Sequence, residues 1–371
     1  MDGKRWYSGD FVKLYSLHAS FLAADAFAWS LGFLYFIKQG IPITWLFIFA
    51  MVQFGTVYLL LLNTHRFSTR GMFIYSFSIR VLALALLGSF FTPALVYIIA
   101  LLQGTTIFAY WIAFNVLYFR LPNTNDRAFL SSLYFAIIPF LGMLLPPIAG
   151  IVASSYGFST VFMLGAILMI IPLGLSIFAP NITIKYDASK AAVHDGRVRM
   201  IIFFEGFFSA VHSVYIPFFI LLFIKEEIAL GIFLSYLSLA GIIGSLVIAK
   251  IADRLRSRKM FIYPATIALS LSIIALGLSS QNAYLFYLFA GIFSTINVIA
   301  APFCITLVFD NYKNVTAAVI ARETMLALGR ITATMIALAT FVVFKIPAVA
   351  FIIAGMATLL YPYLVWKHRL Y

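Results

Sequence analysis

Charge is what this sequence has least of: Asp, Glu, Lys and Arg make up 10% of its 371 residues, against a hydrophobic share of 64%. Soluble domains carry about 25% charged and about 45–50% apolar residues, so a water-soluble fold is excluded. Cysteine is almost missing too. Cys304 stands alone inside an apolar run, which excludes an internal disulfide and a cysteine-based metal or redox centre and leaves it a small packing residue. Also absent are a His-Glu-x-x-His helix, a Gly-rich loop ending in Lys-Ser/Thr to cradle phosphate, and a compact nucleophile constellation. Those absences argue against an enzyme, against a cofactor or metal site and against ATP-driven pumping by this chain alone. Neither a filter loop nor a ring of like charge marks a channel.

What is present is one long apolar run after another. A helix crossing a hydrocarbon core of ~30 Å needs about 20 apolar residues. Apolar runs set against charged or Pro/Gly breaks give spans near 15–37, 42–63, 72–91, 93–119, 128–153, 157–179, 199–225, 229–250, 260–279, 283–309, 317–344 and 346–366. The charged start leads into the first run without a small-residue cleavage site, so that run is expected to stay as a span and not to be a signal peptide. The net charge of +13 is spread over short loops and not gathered on one soluble face, which argues against nucleic acid as a partner. With the N-terminus cytoplasmic, that side receives most cations, including Arg66, Arg120, Arg322 and the cluster Lys250 to Lys259, and the other side only Lys38, Lys225 and Lys345. Such asymmetry sets orientation. Both termini are expected in the cytoplasm, in a multi-pass protein of the cell membrane.

The chain also repeats itself. Met72-Phe73-Ile74-Tyr75 recurs 188 residues later as Met260-Phe261-Ile262-Tyr263, and Phe36-Ile37-Lys38 recurs 187 residues later as Phe223-Ile224-Lys225. Each match falls at the same point of its half, which argues for duplication, and parallel half-repeats place a binding site near the midplane between them. The expected organisation is a half at 1–179, a cytoplasmic linker at 180–198 and a second half at 199–371.

Twelve spans in two parallel halves, with a basic loop after the second span of each, resemble the major facilitator superfamily over the whole chain. Ala249-Lys250-Ile251-Ala252-Asp253-Arg254-Leu255-Arg256-Ser257-Arg258-Lys259 is similar to that family's Gly-x-Leu-Ala-Asp-Arg loop signature. Asp253, Arg254 and Arg258 form its expected latch: an aspartate at a helix end followed by forked cations that reach neighbouring helix termini. In the first half His65 stands at the aspartate position. Gln103 and Gly104 resemble a family motif whose arginine, linked by the resemblance to proton coupling, is here Ala100. Gly142, Pro147 and Gly150 partly match a family exporter motif, with Pro146 and Ile151 replacing two glycines. The resemblance implies an all-α membrane protein, twelve transmembrane helices in two pseudo-symmetric six-helix bundles.

An ionisable group at mid-helix in a bilayer costs at least about 2.5–3.5 kcal/mol, so each one needs a partner or a water-filled cavity. The first span carries His18 and Asp25 and the seventh Glu205 and His212, each pair seven residues apart. That spacing puts each pair on one helix face about 10 Å apart. At the repeat shift of 187, His18 aligns with Glu205 and Asp25 with His212, so the halves hold acid and imidazole in exchanged order. In the resembled family the first spans of the two halves flank the central pathway, which implies that Asp25 and His212 approach each other. All four are candidates for proton coupling, with Asp25 principal and His212 its partner or a substrate contact. His18 and Glu205 alternatively lean out to headgroup water. Arg80 is expected to snorkel towards the cytoplasm or to serve function. Arg330 is a candidate for an acid or an anionic substrate, with Glu323 as its structural partner. Gln103, Tyr110, Trp111 and Asn115 in the fourth span and Asn297 in the tenth offer pocket polarity, the two asparagines ahead of the aromatics.

The expected function is secondary active transport by alternating access, probing no chemistry of its own: proton-coupled export of a small, largely apolar organic compound by a monomer whose partners are substrate, protons and lipid. The alternatives are proton-symport uptake of a small polar or anionic solute, and a non-transporting protein of the same fold.

Overall fold

A computed structural model describes residues 9–120, 127–186, 196–252, 259–312 and 314–370, with side chains over 9–120, 137–186, 196–246, 261–312 and 314–370. Among the described residues twelve helices are long and apolar enough to cross a membrane, as expected. Lipid offers no hydrogen bonds to a backbone, so each span satisfies its own N–H and C=O groups as a helix.

The first span is α1 (Gly9–Ala28) and α2 (Gly32–Lys38); α3 (Ile43–Asn63), α4 (Thr69–Ser89), α5 (Pro93–Arg120), α6 (Arg127–Tyr156) and α7 (Phe158–Ser176) follow. The seventh span is composite: α8 (Gly196–Ala210), a π-helical segment (Val211–Tyr215), α9 (Ile216–Phe219) and a 3₁₀ turn (Ile220–Leu222). Five more helices complete the chain: α10 (Glu227–Ala252), α11 (Lys259–Leu278), α12 (Ala283–Asn311), α13 (Val315–Phe344) and α14 (Ala348–Lys367). The helix starts follow local chemistry. Ser68 accepts from Gly71 N at 3.0 Å, Asn282 from Leu285 N at 3.1 Å and Asn314 from Thr316 N at 2.8 Å, each relieving one orphan donor of a first turn. Gly157, at φ 85°, makes the left-handed turn that joins α6 to α7 with no loop.

Packing repeats with the sequence. In the first six spans α4 packs on α5 and α7, and α3 on α5; in the last six α11 packs on α12 and α14, and α10 on α12. Across the middle α6 lies against α10 and α3 against α13, fifth on eighth and second on eleventh. Small residues bring these backbones together. A Cβ on Gly150 would meet the Glu227 carbonyl oxygen at 2.7 Å, and one on Gly231 the Cα of Pro147 at 2.9 Å. The Gly/Pro stretch that resembles an exporter motif is therefore packed tightly against the eighth span.

The loops after the second and sixth spans are joined by strands too short to read in advance. β1 (Arg66–Ser68) pairs antiparallel with β2 (Thr183–Lys185), Phe67 opposite Ile184. The Tyr186 hydroxyl donates to Leu61 O at 3.1 Å. Burial pushes that hydroxyl well above the ordinary tyrosine range, so it stays protonated and a donor.

Gly206 on α8 and Gly329 on α13 mark a close approach within the last six spans: a Cβ on Gly206 would lie 2.7 Å from the Cα of Gly329. Gly206→Val is expected to lower stability by about 1–3 kcal/mol, as overpacking does. Gly55→Ala, with nothing within 4 Å of the added carbon, should leave the melting temperature of the purified protein unchanged or slightly raised.

Candidate functional site

Two interruptions frame the middle of the bundle. The first span breaks at Trp29–Leu31, four residues past Asp25. The seventh changes from α to π geometry at Val211, and His212 is the second residue of the π segment. At the repeat shift of 187, residues 29–31 correspond to 216–218, directly after that segment. Irregular backbone at membrane depth occurs where it is buried in protein or lines a water-filled cavity, and π segments recur at functional sites.

Asp25 pairs with Arg80 of α4 through Oδ1 and Nη2, and not with His212 as the family resemblance implies. The Arg80 side chain is 3% exposed and that of Asp25 29%. Arg80 therefore does not snorkel. Its Cζ stands 5.2 Å from the Trp29 ring at the helix break, a cation–π contact that suits a desolvated guanidinium, while its Nε and Nη1 have no hydrogen-bond partner among the described residues.

His212 faces the Phe293 ring of α12, centroids 6.4 Å apart, and lies within electrostatic reach of Arg330. Arg330 Nε donates to Ser209 Oγ at 2.9 Å, and its Cζ lies 5.3 Å from the Phe54 ring of α3. The expected Arg330–Glu323 pair gives way to Arg322: its Nη1 lies 3.2 Å from Glu323 Oε1 and its Nη2 bonds Glu205. The charge asymmetry places Arg322 with the cytoplasmic cations, yet it sits inside α13 with its side chain 15% exposed. Glu323 also accepts a long hydrogen bond from Asn115 Nδ2 of α5 at 3.5 Å.

His18 and Glu205 do not lean outward; both are buried. The His18 ring stacks on Phe114, centroids 4.0 Å apart, and its Nδ1 bonds the Tyr110 hydroxyl. Tyr110 is thus buried within the first six spans. Gln103 is buried with no partner for its Nε2 among the described residues, and Asn297 is half-buried on α12. Asp253, Arg254 and Arg258 lie outside the described residues. Sequence reading missed Trp29, Ser209, Phe54 and Arg322; an Arg-Glu pair inside an apolar run was the available signal for the last.

The first and last six spans touch at both ends of the bundle. At one end Lys38, closing α2, bonds Glu227, opening α10. Beside it Phe218 meets Phe33 and Phe47 at 4.7 and 5.3 Å between centroids, and Phe341 meets Phe47 at 6.2 Å. At the other end the tilted rings of Phe119 and Phe309 lie 4.3 Å apart between centroids, and Arg120 Nη2 donates to Thr316 Oγ1. Cavities of about 380 and 720 Å³ open at the flank by Trp366 and beside Lys225; neither is lined by Asp25, Arg80 or Arg330.

A midplane of broken spans and buried ion pairs, enclosed by twelve helices in a repeating arrangement, is the build of a secondary transporter. The family model of the Major Facilitator Superfamily matches residues 16–334, and the chain belongs to that family; it is a membrane-embedded, non-enzymatic transporter of small molecules. Among solved structures it is similar to a D-xylose-proton symporter, at 15% identity over 96% of this chain and 97% of that one, with a TM-score of 0.70. It is similar also to the human organic anion transporter MFSD10 (TETRAN), at 12% identity over 95% and 99%, with a TM-score of 0.71. At such identities these likenesses bear on the fold alone. Among curated proteins none matches by sequence.

The unequal exposure of Asp25 and Arg80 gives a directional test. Asp25→Asn leaves a cation that is almost fully buried, whereas Arg80→Gln leaves a carboxylate that is partly hydrated. Breaking a buried pair costs about 3–5 kcal/mol, with less for an exposed survivor. Thermal melting of purified protein should show Asp25→Asn as the more damaging single change, and the double variant should melt above it.

Proposed function

We propose that the protein is a proton-coupled secondary transporter in which Asp25 carries the proton and Arg80 is the charge it holds and releases. The observation that carries this reading is the Asp25–Arg80 pair beside the break of the first span. Protonation of Asp25 removes its charge and with it the hold on Arg80, so one proton is exchanged for a change in how α1 and α4 are tied. His212 and Arg330 contribute from the seventh and eleventh spans, His212 within the π segment.

The halves 1–179 and 199–371 rock about this midplane, with the basic end of the bundle in the cytoplasm and the chain in the cell membrane. The contacts at the two ends support that picture: Lys38–Glu227 with its aromatic neighbours at one, Phe119–Phe309 and Arg120–Thr316 at the other. Alternating access opens one set while the other stays shut. Asp253, Arg254 and Arg258 bias the cytoplasmic set.

Direction depends on how proton and substrate share the site. Export by exchange requires that they exclude one another; uptake requires that they bind together. The resemblance of Gly142, Pro147 and Gly150 to an exporter motif supports export.

Spin labels test the reading without a known substrate. One pair at Gln39 and Glu226 reports one end, and another at Asn63 and Asn311 the other; all four positions are exposed. The two distances are expected to change in opposite senses between the wild type and Asp25→Asn, which removes the charge that a proton would remove. One unchanged distribution in both proteins sinks alternating access driven by this proton.

A further inference from the structure

We propose that the substrate is an organic monoanion with an apolar body, whose oxyanion takes Arg80 when Asp25 lets go. The proposal rests on the reading of Asp25 as the proton-carrying group and goes beyond it by naming what binds.

Arg80 is the starting point. Its guanidinium is buried, yet among the described residues only Asp25 hydrogen-bonds it, at Nη2, and Nε and Nη1 have no partner there. Guanidinium presents a planar fork that fits an oxyanion through two parallel N–H bonds, and a single bond to a carboxylate leaves most of that fork unused. Asp25 is the accessible member of the pair, so the acid is the group that leaves. Its protonation strands a desolvated cation, which is costly. A second anion relieves that cost; a neutral solute does not, and a cation adds to it.

The walls set the rest of the ligand. Trp29 stands over Arg80 and meets Phe33 and Phe49 at 5.7 and 6.0 Å between centroids. An aromatic wall beside a guanidinium suits an acid with an apolar or aromatic body. His18, two turns away on α1, is bonded to Tyr110, and the helices packed against α1 and α4, namely α5, α6 and α7, carry no Asp or Glu. None supplies a carboxylate to replace Asp25. The sign of coupling follows: Asp25 gains a proton as the anion binds, so both travel together. That is symport, and it reverses the exchange expected from the exporter-like segment.

Benzenesulfonate is a suitable probe, because it stays charged and does not carry protons across lipid unaided; benzenesulfonamide and benzyltrimethylammonium are its neutral and cationic counterparts. Full-length protein is reconstituted into liposomes holding a pH-sensitive dye, and each probe is added outside. Benzenesulfonate should acidify the lumen, and the other two should not. Arg80→Gln should abolish the signal, while Arg80→Lys, keeping the cation without the fork, should retain it at about a tenth of the rate. Both variants are checked for intact melting, and the Lys variant keeps the test decisive where the Gln variant does not fold.

Absence of benzenesulfonate-driven acidification in the wild type overturns the proposal, as does its persistence in Arg80→Gln. Proton movement driven by the amide or the ammonium, and lost in Asp25→Asn, overturns the substrate class while leaving Asp25 as the proton carrier. Benzenesulfonate-driven acidification that survives Asp25→Asn removes that carrier role and this inference with it.

Discussion

Hydrocarbon offers no water to a charge, and that condition governs how this chain assembles. Arg80, Arg322 and Arg330 lie within spans, and each meets an acid, a hydroxyl or an aromatic face supplied by a different helix. Arg80 ties α4 to α1, Arg322 ties α13 to α8, and Arg330 reaches α8 and α3. Packing between helices that are equally apolar everywhere is weakly directional, because lipid tails are as good a neighbour as leucine. Ion pairs and glycine approaches such as Gly206 on Gly329 therefore decide which helices meet and in what rotation.

The two halves are copies in outline and have diverged where charge is concerned. Corresponding helices pack on corresponding partners, and the first and seventh spans are both interrupted, at adjacent places in the repeat. Yet the first six spans keep a carboxylate–guanidinium pair beside the interruption, and the last six set an imidazole near a guanidinium that bonds a hydroxyl. An ion pair beside the interruption thus stands in the first half only. A duplicated frame carrying one such pair makes the two halves alike in packing and chemically unequal.

Much of the fold was legible because each span carries its own apolar run: twelve spans, short loops and the internal repeat follow from hydropathy and spacing. The site was legible as residues and not as partners. Asp25, His212, Glu205 and Arg330 stood out as costly groups in lipid, but Arg80 lies 55 residues from Asp25, and helical periodicity names a face without naming the helix opposite. The alignment of Asp25 with His212 encouraged pairing them, although equivalence in a repeat does not imply contact. Three-residue strands such as β1 and β2 are too short for any alternation to register, and the π segment at Val211–Tyr215 has no composition that separates it from ordinary helix.

The ion pairs also differ in how they meet the surrounding medium. Lys38 is 39% exposed in its bond to Glu227, whereas Arg80 and Glu205 are shielded by the bundle. Mobile ions screen exposed charges over about 8 Å at physiological ionic strength and reach buried ones far less. Raising the salt on the Lys38 side loosens that closure while the midplane pairs keep their strength, so the resting balance between the two ends becomes a function of the ionic composition of the medium bathing one face.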